Sequence, residues 1–75
     1  MTNDEAVKEF RRVYPESEIK VGKVIQFDDA NCILSAYFPD GDFYFVITEH
    51  TVSHSYDSED KAIRSIRWWG NYEWS

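Results

Sequence analysis

Apolar residues fall at helical spacing near the start of the chain, alternate with polar ones through its middle, and return to helical spacing near its end. Thr2 and Glu5 stand three apart, the spacing of a capping box, in which a hydroxyl and a carboxylate satisfy backbone N–H groups at a helix start. Ala6, Val7, Phe10, Val13 and Tyr14 then mark one face until Pro15, which cannot continue a helix. The pattern predicts a helix over about residues 3 to 14, with Lys8, Glu9, Arg11 and Arg12 on its wet side. From Glu18 to Phe27 the period is two: Ile19, Val21, Ile25 and Phe27 share a parity with Lys23 as the exception, and Lys20, Gly22 and Gln26 take the other with Val24. Asp28-Asp29-Ala30-Asn31 is turn chemistry. Cys32 to Phe38 reads as a second strand, with Cys32, Leu34, Ala36 and Phe38 on one side and Ile33, Ser35 and Tyr37 on the other. Pro39-Asp40-Gly41-Asp42 presets one turn angle and supplies a glycine for positive φ, which predicts a hairpin into a third strand from Phe43 to about Glu49. Thr51 to Tyr56 fits either a fourth strand or an extension of the third across a bend at His50. Ser58 suits an N-cap, Glu59 and Asp60 suit the positive end of a helix dipole, and Ala62, Ile63, Ile66 and Trp69 form a stripe that ends near Gly70.

The order α-β-β-β-(β)-α predicts an α+β fold, an antiparallel meander with both helices packed on one face. The opposite face would then present Ile33, Tyr37, Tyr44 and Val46 to water, enough contiguous apolar surface to form a contact patch. Seventy-five residues hold one core, so residues 1–75 are expected to be a single domain. Chains of this size sit near the lower limit for a hydrophobic core alone, and thirteen aromatics supply large buried area per residue.

The single cysteine, Cys32, forms no internal disulfide, which points to a reducing cytoplasm. The stretch from Met1 to Ala6 is polar and acidic, unlike a signal peptide, and the longest apolar run, Phe43 to Ile47, is five residues, so no membrane role is expected. Fourteen acidic against eight basic side chains give a net charge of −6. That charge repels phosphate backbones and so disfavours direct nucleic-acid binding. It serves solubility, and it also favours encounter with a basic protein surface, including one that normally holds nucleic acid.

Candidate chemistry is sparse. His50 and His54 stand four apart in an extended pattern, where such residues lie roughly 13 Å apart and cannot share a zinc ion. Ser58 and Lys61 match a serine-x-x-lysine spacing, without the further motifs and the cleft that acyl transfer requires. Cys32 lies on the parity of Leu34, Ala36 and Phe38 and reads as a core residue rather than a nucleophile. Asp40 and Asp42 in one short turn make a poor cation cage, and Gly22, Gly41 and Gly70 are isolated rather than gathered in a phosphate loop. No catalytic, metal-binding or cofactor-binding residue is expected. The tail Arg67-Trp68-Trp69-Gly70-Asn71-Tyr72-Glu73-Trp74 holds more aromatic surface than one helix stripe buries: either Trp68 or Trp74 stays exposed, or Trp69 fills the core and the tail folds back as a lid over the sheet edge.

The α-β-β-β-α order resembles the double-stranded-RNA-binding fold. That family grips phosphates with a lysine-rich start to its last helix, whereas this chain has Ser58-Glu59-Asp60-Lys61-Ala62 there, so RNA binding is not carried over. Val13-Tyr14-Pro15-Glu16 and Ile66-Arg67-Trp68-Trp69 resemble features of small phage- and prophage-encoded accessory proteins. That resemblance implies a non-enzymatic inhibitor of a host defence or nucleic-acid-handling protein, anti-CRISPR proteins included, acting in the host cytoplasm.

Charge, aromatics and resemblance together lead to an expected protein-binding module. Asp28, Asp29, Asp40, Asp42 and Glu49 would steer it to a basic groove on a host protein, and Tyr37, Tyr44 and Trp68 would anchor it. The alternative is a structural role, with a homodimer formed through the open sheet face. An enzyme or small-ligand binder would need a pocket of at least several hundred Å3, hard to enclose in a chain this short.

Overall fold

Thr2 and Glu5 form the expected capping box: the Thr2 hydroxyl accepts from the Glu5 N–H at 3.2 Å, and the Glu5 carboxylate accepts from the Thr2 N–H at 2.9 Å. The hydrogen bond from the Thr2 backbone holds the Glu5 carboxyl below its ordinary pKa. Helix α1 runs over Asn3–Val13 and closes at Tyr14, whose N–H donates to the Phe10 carbonyl at 2.8 Å just before Pro15. Arg11 donates to the carbonyls of Glu16 and Ile19, which ties the end of α1 to the start of the sheet. The computed structural model describes residues 2–74, with side-chain surroundings given through residue 67.

Strands β1 (Lys20–Gln26), β2 (Cys32–Phe38) and β3 (Gly41–Ile47) form an antiparallel sheet in the order β1-β2-β3. The α+β class, the element order and the bounds of β2 agree with the pattern in the sequence. Phe38 pairs with Gly41 across Pro39-Asp40, and Gly41 has φ +154°, a value that strains any residue with a Cβ. Gly41→Ala is therefore expected to destabilise the domain by about 1–2 kcal/mol, read as a lowered urea midpoint with an unchanged slope.

The exception at Lys23 in the period-two pattern is a β-bulge. Val21 pairs with Ala36 and Val24 with Leu34, so Gly22 and Lys23 together oppose Ser35. The extra residue reverses the parity of β1. Ile19, Val21 and Val24 pack on one face with Leu34 and Ala36, whereas Ile25 and Phe27 turn to the other, so the expectation that Ile19, Val21, Ile25 and Phe27 share a side is corrected.

Residues 51–56 turn back rather than extend β3. The Thr48 N–H donates to the Thr51 carbonyl at 2.9 Å, and Tyr44 and Tyr56 exchange two backbone hydrogen bonds of 2.8 Å. Between them the Ser53 hydroxyl accepts from the Val46 N–H at 2.8 Å. The result is an irregular cover on the outer edge of β3, with isolated bridges at Tyr44–Tyr56 and Ile47–Val52 in place of a regular fourth strand.

The two helices pack on opposite faces, which corrects the expectation that they share one. Ala6 and Phe10 of α1 lie in a buried cluster with Ile19, Cys32, Leu34, Ala36, Phe45 and Ile47. Helix α2 (Glu59–Trp74) brings Ala62 against Ile33 and Val46, with Ile63, Ile66, Phe27, Tyr44 and Tyr56 partly buried around them. Ile33 and Val46 are cross-strand partners whose strand neighbours, Leu34 and Phe45, point the other way. Both faces of β2 are buried from Cys32 to Ala36, with Cys32, Leu34 and Ala36 on one and Ile33 and the hydrogen-bonded Ser35 on the other, and one helix cannot cover both. At its start, α2 is capped by Ser58, whose hydroxyl accepts from the Lys61 N–H at 3.2 Å. It does not stop near Gly70 as the stripe suggested; an interior glycine costs only about 1 kcal/mol relative to alanine and is carried through to Trp74.

Candidate functional site

Through its residues up to 67, helix α2 covers the Ile33–Val46 end of its sheet face. Ile33 is 1% and Val46 8% exposed, so of the four residues expected to form an open patch, these two are buried. Tyr37, 46% exposed, and the half-buried Tyr44 occupy the uncovered end.

The uncovered end is built on the bulge. The Ser35 hydroxyl accepts from the Lys23 N–H at 2.7 Å and donates to the Lys23 carbonyl at 3.3 Å, so this buried serine fixes both backbone groups of the extra residue. A Cβ on Gly22 would stand 2.6 Å from the Tyr37 hydroxyl oxygen and 2.8 Å from its ring, closer than real atoms approach. The ring of Tyr37 thus lies directly on the Gly22 backbone, as an aromatic side chain covering an edge glycine does. Asp42 is the direct cross-strand partner of Tyr37 on β3, and Lys20 is its partner on β1. A shallow groove of about 280 Å3 follows: Ile25, Ile33 and Ser35 line it with Tyr37 and Tyr44, and Lys23, Asp42 and Glu59 supply its charges.

A second cleft, of about 350 Å3, lies among Glu5, Asp29, Ala30, Thr48, Glu49 and His50, where the β1–β2 and β3–edge turns approach the start of α1. The five acidic residues expected to act together are therefore divided. Asp28, Asp29 and Glu49 sit at one end of β2 and Asp40 and Asp42 at the other, a separation of roughly 20 Å along a seven-residue strand. Asp28 is engaged within its own turn: its Oδ1 accepts from the N–H groups of Ala30 and Asn31, each at 2.8 Å, and from the Asn31 amide at 2.9 Å. Burial pushes its carboxyl up, but the hydrogen bonds from Ala30 and Asn31 together outweigh that, and its pKa lies below the ordinary value. A folded pKa below the unfolded one contributes stability that is present above about pH 4 and lost as pH falls through the folded pKa. Asp28→Ala is expected to lower stability at pH 7 and to flatten the loss as pH falls below about 4, read from urea midpoints above and below that pH.

Among the described residues the ion pairs are local, Arg12–Glu9 at 2.9 Å and Lys61–Asp57 at 2.8 Å, and neither Asp42 nor Glu59 has a cation within pairing distance. Cys32 is buried and donates to the Gln26 Oε1 at 3.4 Å; burial pushes its thiol pKa up, away from nucleophilic character. The His54 ring packs on Tyr56 with centroids 4.5 Å apart, while His50 lines the acidic cleft. No group of three or more His, Cys, Asp or Glu among the described residues is placed to hold a metal ion, and none of the described helices is long and apolar enough to cross a membrane. The side chain of Trp68, the remaining expected anchor, lies outside the described residues.

The structure thus brings Tyr37, Asp42 and Tyr44 together and adds Lys23, Ser35 and Glu59, which sequence reasoning did not assign to a site. The break in periodicity at Lys23 was the available signal for the first two; Glu59 reaches the groove only because α2 crosses the second face. No protein family, curated protein or solved structure was found to match the chain.

Proposed function

We propose that the chain is a non-enzymatic protein-binding module whose uncovered sheet end engages a basic surface on a partner, as a phage-type inhibitor of a host nucleic-acid-handling or defence protein would. The observation that carries this reading is the grouping of an exposed Tyr37, its cross-strand partner Asp42, Tyr44 and Glu59 around one shallow groove. Tyrosine offers large contact area with little side-chain entropy to lose, and carboxylates at the rim steer encounter with cations. Long-range attraction is reinforced by the net charge of −6. Dimerisation through the same face would have Tyr37 and Tyr44 to use but not Ile33 and Val46, which α2 already covers.

Affinity capture from host lysate with quantitative mass spectrometry tests the reading. A protein retained by the parent chain and lost with Tyr37→Ala and Asp42→Asn is the expected result. Identical retention by parent and variants, with both variants folded, would overturn it.

A further inference from the structure

Resting on the reading of this face as a protein-binding surface, we propose that its groove receives an arginine side chain of the partner, the guanidinium stacked on Tyr37 and paired with Asp42 and Glu59. Three observations converge on that chemistry. The Tyr37 ring is laid against the Gly22 backbone, yet the residue keeps nearly half its surface exposed, so it offers a supported aromatic platform with one side open. Asp42 and Glu59 reach the groove from β3 and α2 and, among the described residues, neither is ion-paired, so two acceptors stand beside the platform against the single lysine, Lys23, that lines it. The platform is fixed in advance, because both hydrogen bonds of Ser35 go to the bulge that carries Gly22 and Lys23.

A planar guanidinium uses both features at once: its face stacks on an aromatic ring while its edge donates to carboxylates. A lysine ammonium is compact and strongly hydrated and matches only the charge. Lys20 and Lys23 lie on the β1 side of Tyr37, so the incoming cation is directed to the β3 and α2 side, where the carboxylates are. The groove is too shallow for an enclosed small molecule but suited to one extended side chain.

The probe is the peptide acetyl-Gly-Gly-Arg-Gly-Gly-amide, with citrulline and lysine versions, titrated into the 15N-labelled full chain and followed by two-dimensional NMR. Saturable shifts at Gly22, Lys23, Tyr37 and Asp42 are expected, with a dissociation constant on the order of millimolar, as suits one side chain. The citrulline peptide should bind about tenfold more weakly, because it keeps the planar shape and loses the charge. The lysine peptide should bind several-fold more weakly. Tyr37→Ala and Asp42→Asn, both at exposed positions, should each weaken the arginine peptide by about fivefold, and Lys23→Gln should tighten it. Equal binding of arginine and citrulline peptides, shifts confined to the cleft at Asp29 and Glu49, or no shift at all would overturn the proposal. If capture of a partner depends on Tyr37 while the peptides do not discriminate, the arginine assignment fails and the protein-binding reading stands. If capture ignores Tyr37, the reading itself fails.

Discussion

Phe45→Ala is expected to leave the chain largely unfolded at 25 °C. Phe45 is fully buried and its ring meets three others, Phe10 at 5.1 Å, Tyr14 at 5.4 Å and Phe38 at 5.9 Å between centroids. Phe10 also stacks on Tyr14 at 5.0 Å, and Phe38 meets Phe43 at 5.5 Å, so Phe45 is the hub through which α1 is held to β2 and β3. Truncating a buried phenylalanine costs about 3–5 kcal/mol, because the transfer energy of the ring is lost and the cavity collapses only in part. A domain of this size commands roughly 3–5 kcal/mol of net stability, so the substitution removes most or all of it. Far-UV circular dichroism and urea titration give the answer. Phe45→Leu, which keeps more of the volume, should remain folded with a lowered midpoint. A Phe45→Ala protein with the parent midpoint would mean that the ring cluster is not what holds α1 to the sheet.

The location of the aromatics explains which parts of the molecule could be read in advance. Local signals with a steric or hydrogen-bonding cause were legible: Thr2 and Glu5 cap α1, Ser58 caps α2, and Pro39 with Gly41 closes the β2–β3 hairpin. The side of the sheet on which α2 packs was not, because alternation states only that Ile33 and Leu34 point opposite ways, and a strand buried on both faces looks the same whichever helix covers which face. That ambiguity affected the functional reading as well. Thirteen aromatics exceed what one layer of a small core needs, and the excess suggested a large exposed patch. A sheet covered on both sides has two layers to fill: Phe10, Tyr14, Phe38, Phe43 and Phe45 serve one, and Phe27, Tyr44 and Tyr56 the other. Among residues 2 to 67, whose side-chain surroundings are described, Tyr37 is the one Phe, Trp or Tyr side chain that is exposed, so on this part of the molecule the candidate contact surface is centred on one ring.

Substituting two residues four apart on β2 separates the two architectures: Ile33→Asp is expected to unfold the domain or detach α2, and Tyr37→Asp to leave it folded. Both side chains point to the same face of the sheet. Were both helices on the other face, both positions would be open to water and both aspartates tolerated. Ile33 instead lies beneath Ala62 and beside Val46, so a carboxylate there would be desolvated, and none of the residues packed around it in that cluster carries a charge. The lost isoleucine alone is worth about 2–5 kcal/mol, and the buried unpaired charge adds several more unless the carboxyl takes up a proton. Tyr37, 46% exposed, leaves an aspartate hydrated between Lys20 and the like-charged Asp42, and with the ring lost from Gly22 a cost of about 1–2 kcal/mol is expected, well short of that at Ile33. Urea midpoints measured at pH 7 compare the pair directly, and far-UV ellipticity reports whether α2 is lost before the sheet. Equal midpoints for the two variants would return α2 to the face that α1 occupies. A deep loss for Ile33→Asp alone fixes α2 over the Ile33–Val46 end, and so fixes Tyr37 at the uncovered end, where the groove and its carboxylates are.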